Sequence, residues 1–204
     1  MRLPEKLSQT LDTMRLLLIR HASHDLLGKA LAGRTSVPLN DVGICEAKQL
    51  ARKLVDEGIT TLISSPTLRA VQTAMPLAES LGLEIVSSRA FDEVDFGDWT
   101  GRSFAELDLL PEWQQWNKDR DHGEAPGGET MRSAQKRVVQ GIWHLKQQYQ
   151  GQTVAVFSHC DVIKAALLHF LGAPLQSIFR LEIAPCSVGI VVFHGDDPLV
   201  TKID

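Results

Sequence analysis

Two stretches of the chain, Leu16-Leu17-Leu18-Ile19 and Val154-Ala155-Val156-Phe157, are apolar at every position. A strand carries such an unalternating run only where both of its faces are covered, the setting of a parallel sheet packed between helices. Each run leads straight to a histidine, the first through Arg20-His21 and the second through Ser158-His159. In an open α/β sheet, ligands gather beyond the carboxyl ends of the parallel strands. The pattern therefore sets two imidazoles where a ligand binds, and the adjoining guanidinium points to an anion.

The rest of the chain alternates around these runs. Asn40 stands as an N-cap before Ile44, Ala47, Leu50, Ala51, Leu54 and Val55 at helical spacing, and Gly58 stops that helix. A strand is predicted at 61–64. Ser65-Pro66 then reads as an N-cap and first helical residue. That helix continues through Ala70, Val71, Ala74, Leu77 and Ala78, with Pro76 expected to kink or restart it. A third strand is predicted at 83–88, and residues 92–128 read as irregular. Gly127-Gly128 leads into a long helix marked by Met131, Ala134, Val138, Ile142, Leu145 and Tyr149. A strand at 153–158, a helix at 161–171 ended by Gly172 and a strand at 188–193 complete the pattern. This alternation predicts a single α/β domain, a three-layer sandwich with a mostly parallel central sheet flanked by helices. Met14 directly precedes the first strand, so residues 1–13 read as an N-terminal extension and 14–204 as the domain.

Composition removes several function classes. A net charge of −4 gives no general attraction to nucleic acid or acidic membrane. No apolar stretch approaches the roughly 20 residues that span a bilayer, and residues 1–13 lack the apolar centre of a signal peptide. Cys45, Cys160 and Cys186 are odd in number and widely spaced, which suits a reducing compartment better than a disulfide framework. The chain reads as cytoplasmic. It lacks GxxxxGK[ST] and GxGxxG, which argues against nucleotide folds built on those loops.

The chemistry lies in the residues just past each strand. The second strand leads into Ser64-Ser65-Pro66-Thr67-Leu68-Arg69, with Arg69 in the first turn of a helix, where free N–H groups and the dipole favour anions. The third leads into Phe91-Asp92-Glu93-Val94-Asp95-Phe96-Gly97, a group of carboxylates beside a turn. Two arginines, two histidines and a carboxylate on one sheet edge suit phosphoryl transfer from an ester. Guanidinium forks hold phosphate oxygens, a neutral imidazole attacks phosphorus, and a protonated carboxyl protonates the leaving oxygen. No metal or other cofactor is expected, because the arginines already balance the phosphate. Spacing alone leaves Asp92, Glu93, Asp95 and Asp98 equivalent as the acid.

Four segments in order resemble the histidine phosphatase superfamily, in its phosphoglycerate mutase-like branch. They are Leu17-Leu18-Ile19-Arg20-His21-Ala22, the stretch from Ser64 to Ala74, the stretch from Glu93 to Gly101, and Phe157-Ser158-His159. Pro126-Gly127-Gly128-Glu129-Thr130 resembles a further segment of that branch. The resemblance implies that His21 is the nucleophile that becomes phosphohistidine. It also implies that Arg20, Arg69 and His159 form the phosphate pocket, and that Glu93 is the proton donor. Such a carboxyl must hold its proton for that task, so partial burial and a raised pKa are expected. Many relatives have Gly-Glu-Thr after the first histidine and asparagine three residues later, where this chain has Ala22, Ser23, His24 and Leu27. After the second histidine a Gly-Gly pair is common, and here Cys160-Asp161 stands.

The expected activity is metal-independent hydrolysis of a small phosphate ester. The alternatives are a phosphoglycerate-type mutase and a non-catalytic phosphate-binding protein. Mutase relatives usually carry a longer, more basic insert between the acid and the second histidine; here the basic residues of that stretch are spread among acids. Arg34 is a candidate substrate contact, set against the plainer reading of a solvated loop arginine. Cys160 is a candidate reactive contact, set against a small packing residue. His21-x-x-His24 hints at a metal pair, but no third ligand has a suitable spacing. Within 103–118, Leu107, Leu110, Trp113 and Trp116 recur near helical spacing. The plainer reading is a helix packed on the core, and the sharper one makes Trp113 and Trp116 contacts of an apolar lid over the pocket.

Overall fold

The computed structural model describes residues 13–203; residues 1–12, nearly all of the expected extension, lie outside the described residues. Six strands are formed: β1 (Thr13–Arg20), β2 (Ile59–Ser64), β3 (Ile85–Ser87), β4 (Thr153–Ser158), β5 (Val188–His194) and β6 (Asp197–Ile203). They build one sheet in the order β3-β2-β4-β1-β5-β6. The first four strands of that order run parallel, while β5 pairs antiparallel with β1 and with β6. The α-helices are α1 (Asp41–Leu54), α2 (Leu68–Leu81), α3 (Phe104–Leu107), α4 (Pro111–Lys118), α5 (Met131–Gln148) and α6 (Cys160–Phe170).

The apolar runs serve two cores because successive side chains on a strand point to opposite faces. Leu16 and Leu18 of β1 and Val154 and Val156 of β4 pack in the larger core, with Met131, Val138 and Ile142 of α5 and Ile163 and Leu167 of α6. Leu17, Ile19, Ala155 and Phe157 pack in the other, with Leu50 and Leu54 of α1 and Ala74 and Leu77 of α2. The three-layer sandwich with a mostly parallel sheet is thus present.

Several boundaries differ from the sequence reading. Helix α2 begins at Leu68, and Thr67 is its N-cap residue with no side-chain cap bond. The Ser65 hydroxyl is engaged elsewhere, and no helix starts at Pro66. Pro76 lies within an unbroken helix assignment. Strand β3 spans only three residues, and Ile44 of α1 stays 43 % exposed. Residues 92–128 contain α3, closed by a Ser103–Glu106 capping box, and α4, with Pro111 in its first turn. The hairpin partner β6 has no counterpart in the sequence reading; its apolar residues Leu199 and Ile203 remain partly exposed on an edge.

Register sets the site. Arg20 of β1 stands opposite Ser158 of β4, and Ser64 of β2 opposite Phe157. The next residues, His21, His159 and Ser65, therefore leave three neighbouring strands together. Backbone bonds from His21 N–H to the Ser158 carbonyl (3.0 Å) and from Ser65 N–H to the Phe157 carbonyl (2.9 Å) carry the pairing one residue past the strands. On its other side, Arg20 exchanges backbone bonds with Ser187 and Cys186.

Asn40 caps α1 as its position suggests, with its Oδ1 accepting from Gly43 N–H at 2.9 Å. Asn40→Ala should cost about 1 kcal/mol, lowering Tm by about 2–4 °C for a chain of this size, as read by a thermal melt.

Candidate active site

His21 comes directly after β1, is buried, and lies 2.8 Å through Nδ1 from the Ala22 carbonyl. A carbonyl only accepts, so Nδ1 carries the proton and Nε2 keeps the lone pair. Burial first, then the charge of Arg69, hold its pKa well below 6.5. Its ring centroid lies 5.2 Å from that of His159 and 5.1 Å from that of His24.

Arg69, in the first turn of α2, is 1 % exposed. It donates to the carbonyls of Gly33 (2.6 Å) and Thr35 (3.0 Å) and to His159 Nδ1 (3.1 Å). Because a guanidinium only donates, His159 Nδ1 accepts. The His159 proton then sits on Nε2, 3.0 Å from Ser65 Oγ, and Ser65 Oγ donates in turn to the Asp92 carboxylate at 2.7 Å. This relay of Arg69, His159, Ser65 and Asp92 fixes the second imidazole. It also explains why Ser65 does not cap α2. Arg20 donates through Nη1 to the Ile183 carbonyl. The buried Nε atoms of Arg20 and Arg69 have no hydrogen-bond partner among the described residues.

Arg20, His21, His24, Arg69 and Glu93 line one cavity of about 580 Å³. Its walls include Leu27, Leu31, Phe96, Phe104 and Trp113 on one side and Arg120, Cys160, Asp161, Lys164 and Glu182 on another. His159 stands behind His21, fully buried.

Glu93 is raised from the usual carboxylate range to about 7, by burial first and then by the charge of Asp161. Val94 N–H bonding to its Oε1 (3.0 Å), together with Arg69 and Arg20, works the other way. Its backbone is clamped from outside the cavity. Arg34 donates to the Glu93 carbonyl (2.9 Å), Arg137 to the Asp92 carbonyl (2.9 Å), and both arginines reach Glu129 Oε1 at 2.7 Å.

Two expected contacts, Arg34 and Trp116, are corrected by this geometry. Arg34 spends its guanidinium on Glu93, Asp95 and Glu129 and does not line the cavity, so it holds the acid-bearing loop. Trp116 is 1 % exposed and packed edge-on against Phe96 and Trp99, beneath the cavity wall; only Trp113 of the pair lines the cavity. Cys160 does line it, but burial pushes its thiol up to about 11, so it is no ready thiolate. Sequence reasoning misses the positioning by Ser65, Asp92, Arg137 and Glu129. It singles out His24 only as half of a metal pair. Among the described residues no group of three or more His, Cys, Asp or Glu is arranged to hold a metal. His24 is instead a third imidazole on the cavity wall, held down to about 4 chiefly by burial and Arg69.

A carboxyl whose folded-state pKa lies above its unfolded value adds stability below about 4.5 and loses it as pH rises toward about 7. Glu93→Gln should therefore raise Tm at pH 8 and change it little at pH 4, as seen by calorimetry at the two values.

The profile of the histidine phosphatase superfamily (branch 1) matches residues 16–204. The chain is 36% identical over 186 residues to a bifunctional protein of Mycobacterium tuberculosis, covering 89% of this chain and 51% of that one. It thus spans about half the length of the first curated relatives it matches. It is 29% identical over 195 residues to phosphoserine phosphatase 1 of Hydrogenobacter thermophilus, 94% of this chain and 92% of the relative. A mutant phosphoserine phosphatase from Entamoeba histolytica, solved with phosphoserine, matches with a TM-score of 0.85 at 25% identity, over 93% of this chain and 96% of that one.

Proposed function

The chain belongs to the histidine phosphatase superfamily, branch 1, and from that premise we propose a phosphomonoesterase that hydrolyses a small phosphate ester through phosphohistidine at His21. The observation that carries this reading is the 2.8 Å approach of His21 Nδ1 to the Ala22 carbonyl, from which the tautomer follows. With Nδ1–H on the Ala22 carbonyl, Nε2 is left as a neutral nucleophile at the wall of a cavity shared with Arg20 and Arg69.

In the first step, the Nε2 lone pair forms a P–N bond as the ester P–O bond breaks. The leaving oxygen takes the proton of Glu93. Guanidinium N–H groups of Arg20 and Arg69 hold the phosphoryl oxygens as their charge rearranges. In the second step, water attacks phosphorus, Glu93 takes the water's proton, and the P–N electrons return to Nε2. His159 supports both steps by orienting Arg69 through the bond at 3.1 Å.

Hydrolysis is favoured over phosphoryl transfer between two sites of one sugar acid. A mutase has to hold a second phosphate, and beyond Arg20 and Arg69 the cavity's Lys and Arg residues are Arg120, ion-paired with Asp161 at 3.1 Å, and the single ammonium of Lys164. Intact His21 and Glu93 in one cavity speak against a protein that merely binds phosphate. Phosphoserine phosphatases among the relatives support a small ester substrate. No helix among the described residues is long and apolar enough to cross a membrane. Three free cysteines favour a reducing, cytoplasmic setting.

The test is phosphate release from p-nitrophenyl phosphate in excess EDTA. The parent should turn over, and His21→Ala should lose at least about 10³-fold in kcat; undiminished activity in the variant would sink the nucleophile. A second prediction concerns the acid. With an alkyl ester, kcat/KM should fall as pH rises through about 7, because Glu93 then lacks the proton it must give. Glu93→Gln should cost about 10²–10⁴-fold with that ester. It should cost far less in the first step with p-nitrophenyl phosphate, whose leaving group needs no proton, so phosphoenzyme accumulates as a burst in rapid-quench measurements.

A further inference from the structure

One polar side chain on the cavity wall takes no part in the two proposed steps. His24 is 5 % exposed and lines the cavity beside His21, the two ring centroids lying 5.1 Å apart. The backbone leading to it is held from two helices. The Ala22 N–H donates to Thr73 Oγ1 of α2 at 2.9 Å, and the Ser23 N–H donates to Glu46 Oε2 of α1 at 2.8 Å. The Ser23 carbonyl accepts from the Asn40 N–H at 3.2 Å. Gly43 lets α1 come this close, since a Cβ there would strike the Ser23 carbonyl oxygen. A turn closed by the Leu27 N–H on the His24 carbonyl (3.0 Å) follows. The imidazole therefore reaches the cavity on a fixed support.

The two nitrogens of this ring meet different surroundings. Nδ1 is sealed from solvent and has no hydrogen-bond partner among the described residues. Nε2 is not sealed in this way and bonds to no described residue, so it faces the cavity that the ring lines. A proton on Nδ1 would be a buried donor with nothing to receive it, whereas a proton on Nε2 can be offered to whatever fills the cavity. Nε2 therefore carries the proton. His24 thus takes the tautomer opposite to that of His21, whose Nδ1–H is engaged by the Ala22 carbonyl. Burial first, then the charges of Arg69 and Arg20, hold its pKa at about 4, so the ring is neutral at pH 7. Those two arginines belong to the phosphate end, and His24 shares that end with them. The residues that follow it on the wall, Leu27, Ala30 and Leu31, offer no side-chain donor.

We infer that His24 is a further catalytic residue, a neutral donor whose Nε2–H bonds a nonbridging oxygen of the phosphoryl group as it passes to and from His21. This rests on the proposed phosphatase reading and adds a contact to that same site. The proton stays on His24 in both steps, and no covalent bond to this ring forms or breaks. Neutrality matters here. A third cation beside Arg20 and Arg69 would favour the ionised form of Glu93 and strip the acid of its proton. An uncharged N–H stabilises the phosphoryl oxygens without that effect.

The test compares His24→Leu, His24→Asn and His24→Gln with the parent. A glutamine amide sets its NH₂ near the Nε2 position, whereas an asparagine amide reaches only as far as Nδ1. The readouts are kcat/KM for p-nitrophenyl phosphate and for an alkyl ester, and inhibition by orthovanadate, whose oxygens stand in for those of the phosphoryl group in transit. His24→Leu and His24→Asn should lower kcat/KM about 10²-fold with both esters and weaken vanadate comparably. His24→Gln should recover about tenfold of that loss. A loss confined to one ester, with vanadate unaffected, puts His24 on the leaving group and overturns the inference. So does a parent-like kcat/KM in His24→Leu, or a His24→Gln no better than His24→Asn. If the variants fail to fold, the parent itself decides. Nitrogen–proton correlation spectra at neutral pH should show His24 with a protonated Nε2 and a bare Nδ1, and vanadate should shift the Nε2–H signal. The reverse tautomer, or a signal blind to vanadate, overturns the donor. A parent that hydrolyses neither ester removes the phosphatase reading and this inference together, whereas a turning-over parent matched by His24→Leu removes this inference alone.

Discussion

Keeping cationic guanidinium groups largely out of water, without a carboxylate to neutralise them, is the constraint that organises this molecule. Arg69 is held by carbonyls and by an imidazole, and Arg20 by the carbonyl of Ile183. Neither forms an ion pair among the described residues. Neutral acceptors lower the cost of burial but leave the positive potential in place. That potential acts with burial to keep His21, His24 and His159 unprotonated. The loop at 33–35 and the segment before β5 have their course set by having to bring carbonyls to these two side chains.

The acid in the same cavity faces the opposite problem. Positive neighbours alone would strip Glu93 of its proton, yet burial and the nearby Asp161 outweigh them. A neutral base and a neutral acid thus coexist beside two cations. The balance depends on where the Glu93 backbone is held, and Arg34, Arg137 and Glu129 hold it from the outer side. These residues never touch the cavity's reacting end, but a shift in their network would change how deeply the carboxyl is buried.

Much of this is legible in the sequence because strand ends and their residues are local features. The unalternating runs mark β1 and β4, and the residues that follow those runs mark Arg20, His21 and His159. The resemblance, not spacing, singles out Glu93 from three neighbouring acids. The hidden part depends on side chains meeting across long sequence distances. Ser65 looks like a helix cap because the short-range signal for a cap is a hydroxyl before proline; its real partners, Asp92 and His159, lie 27 and 94 residues away. Trp113 and Trp116 share a helix and a hydrophobic pattern, so periodicity cannot tell which indole faces the cavity and which supports Arg120. Strand β6 escapes because an exposed edge strand needs no continuous apolar run.

The order of the sheet has a consequence for assembly. The two strands that deliver the histidines are its innermost pair, with two further strands on either side. The sheet's edges are β3 and β6, and on β6 Pro198 and Lys202 discourage another strand from adding. Reaction geometry and sheet margin are therefore insulated from one another. A fold arranged in this way tolerates being joined to a second module, or altered along its rim, while the chemistry at its centre goes on unchanged.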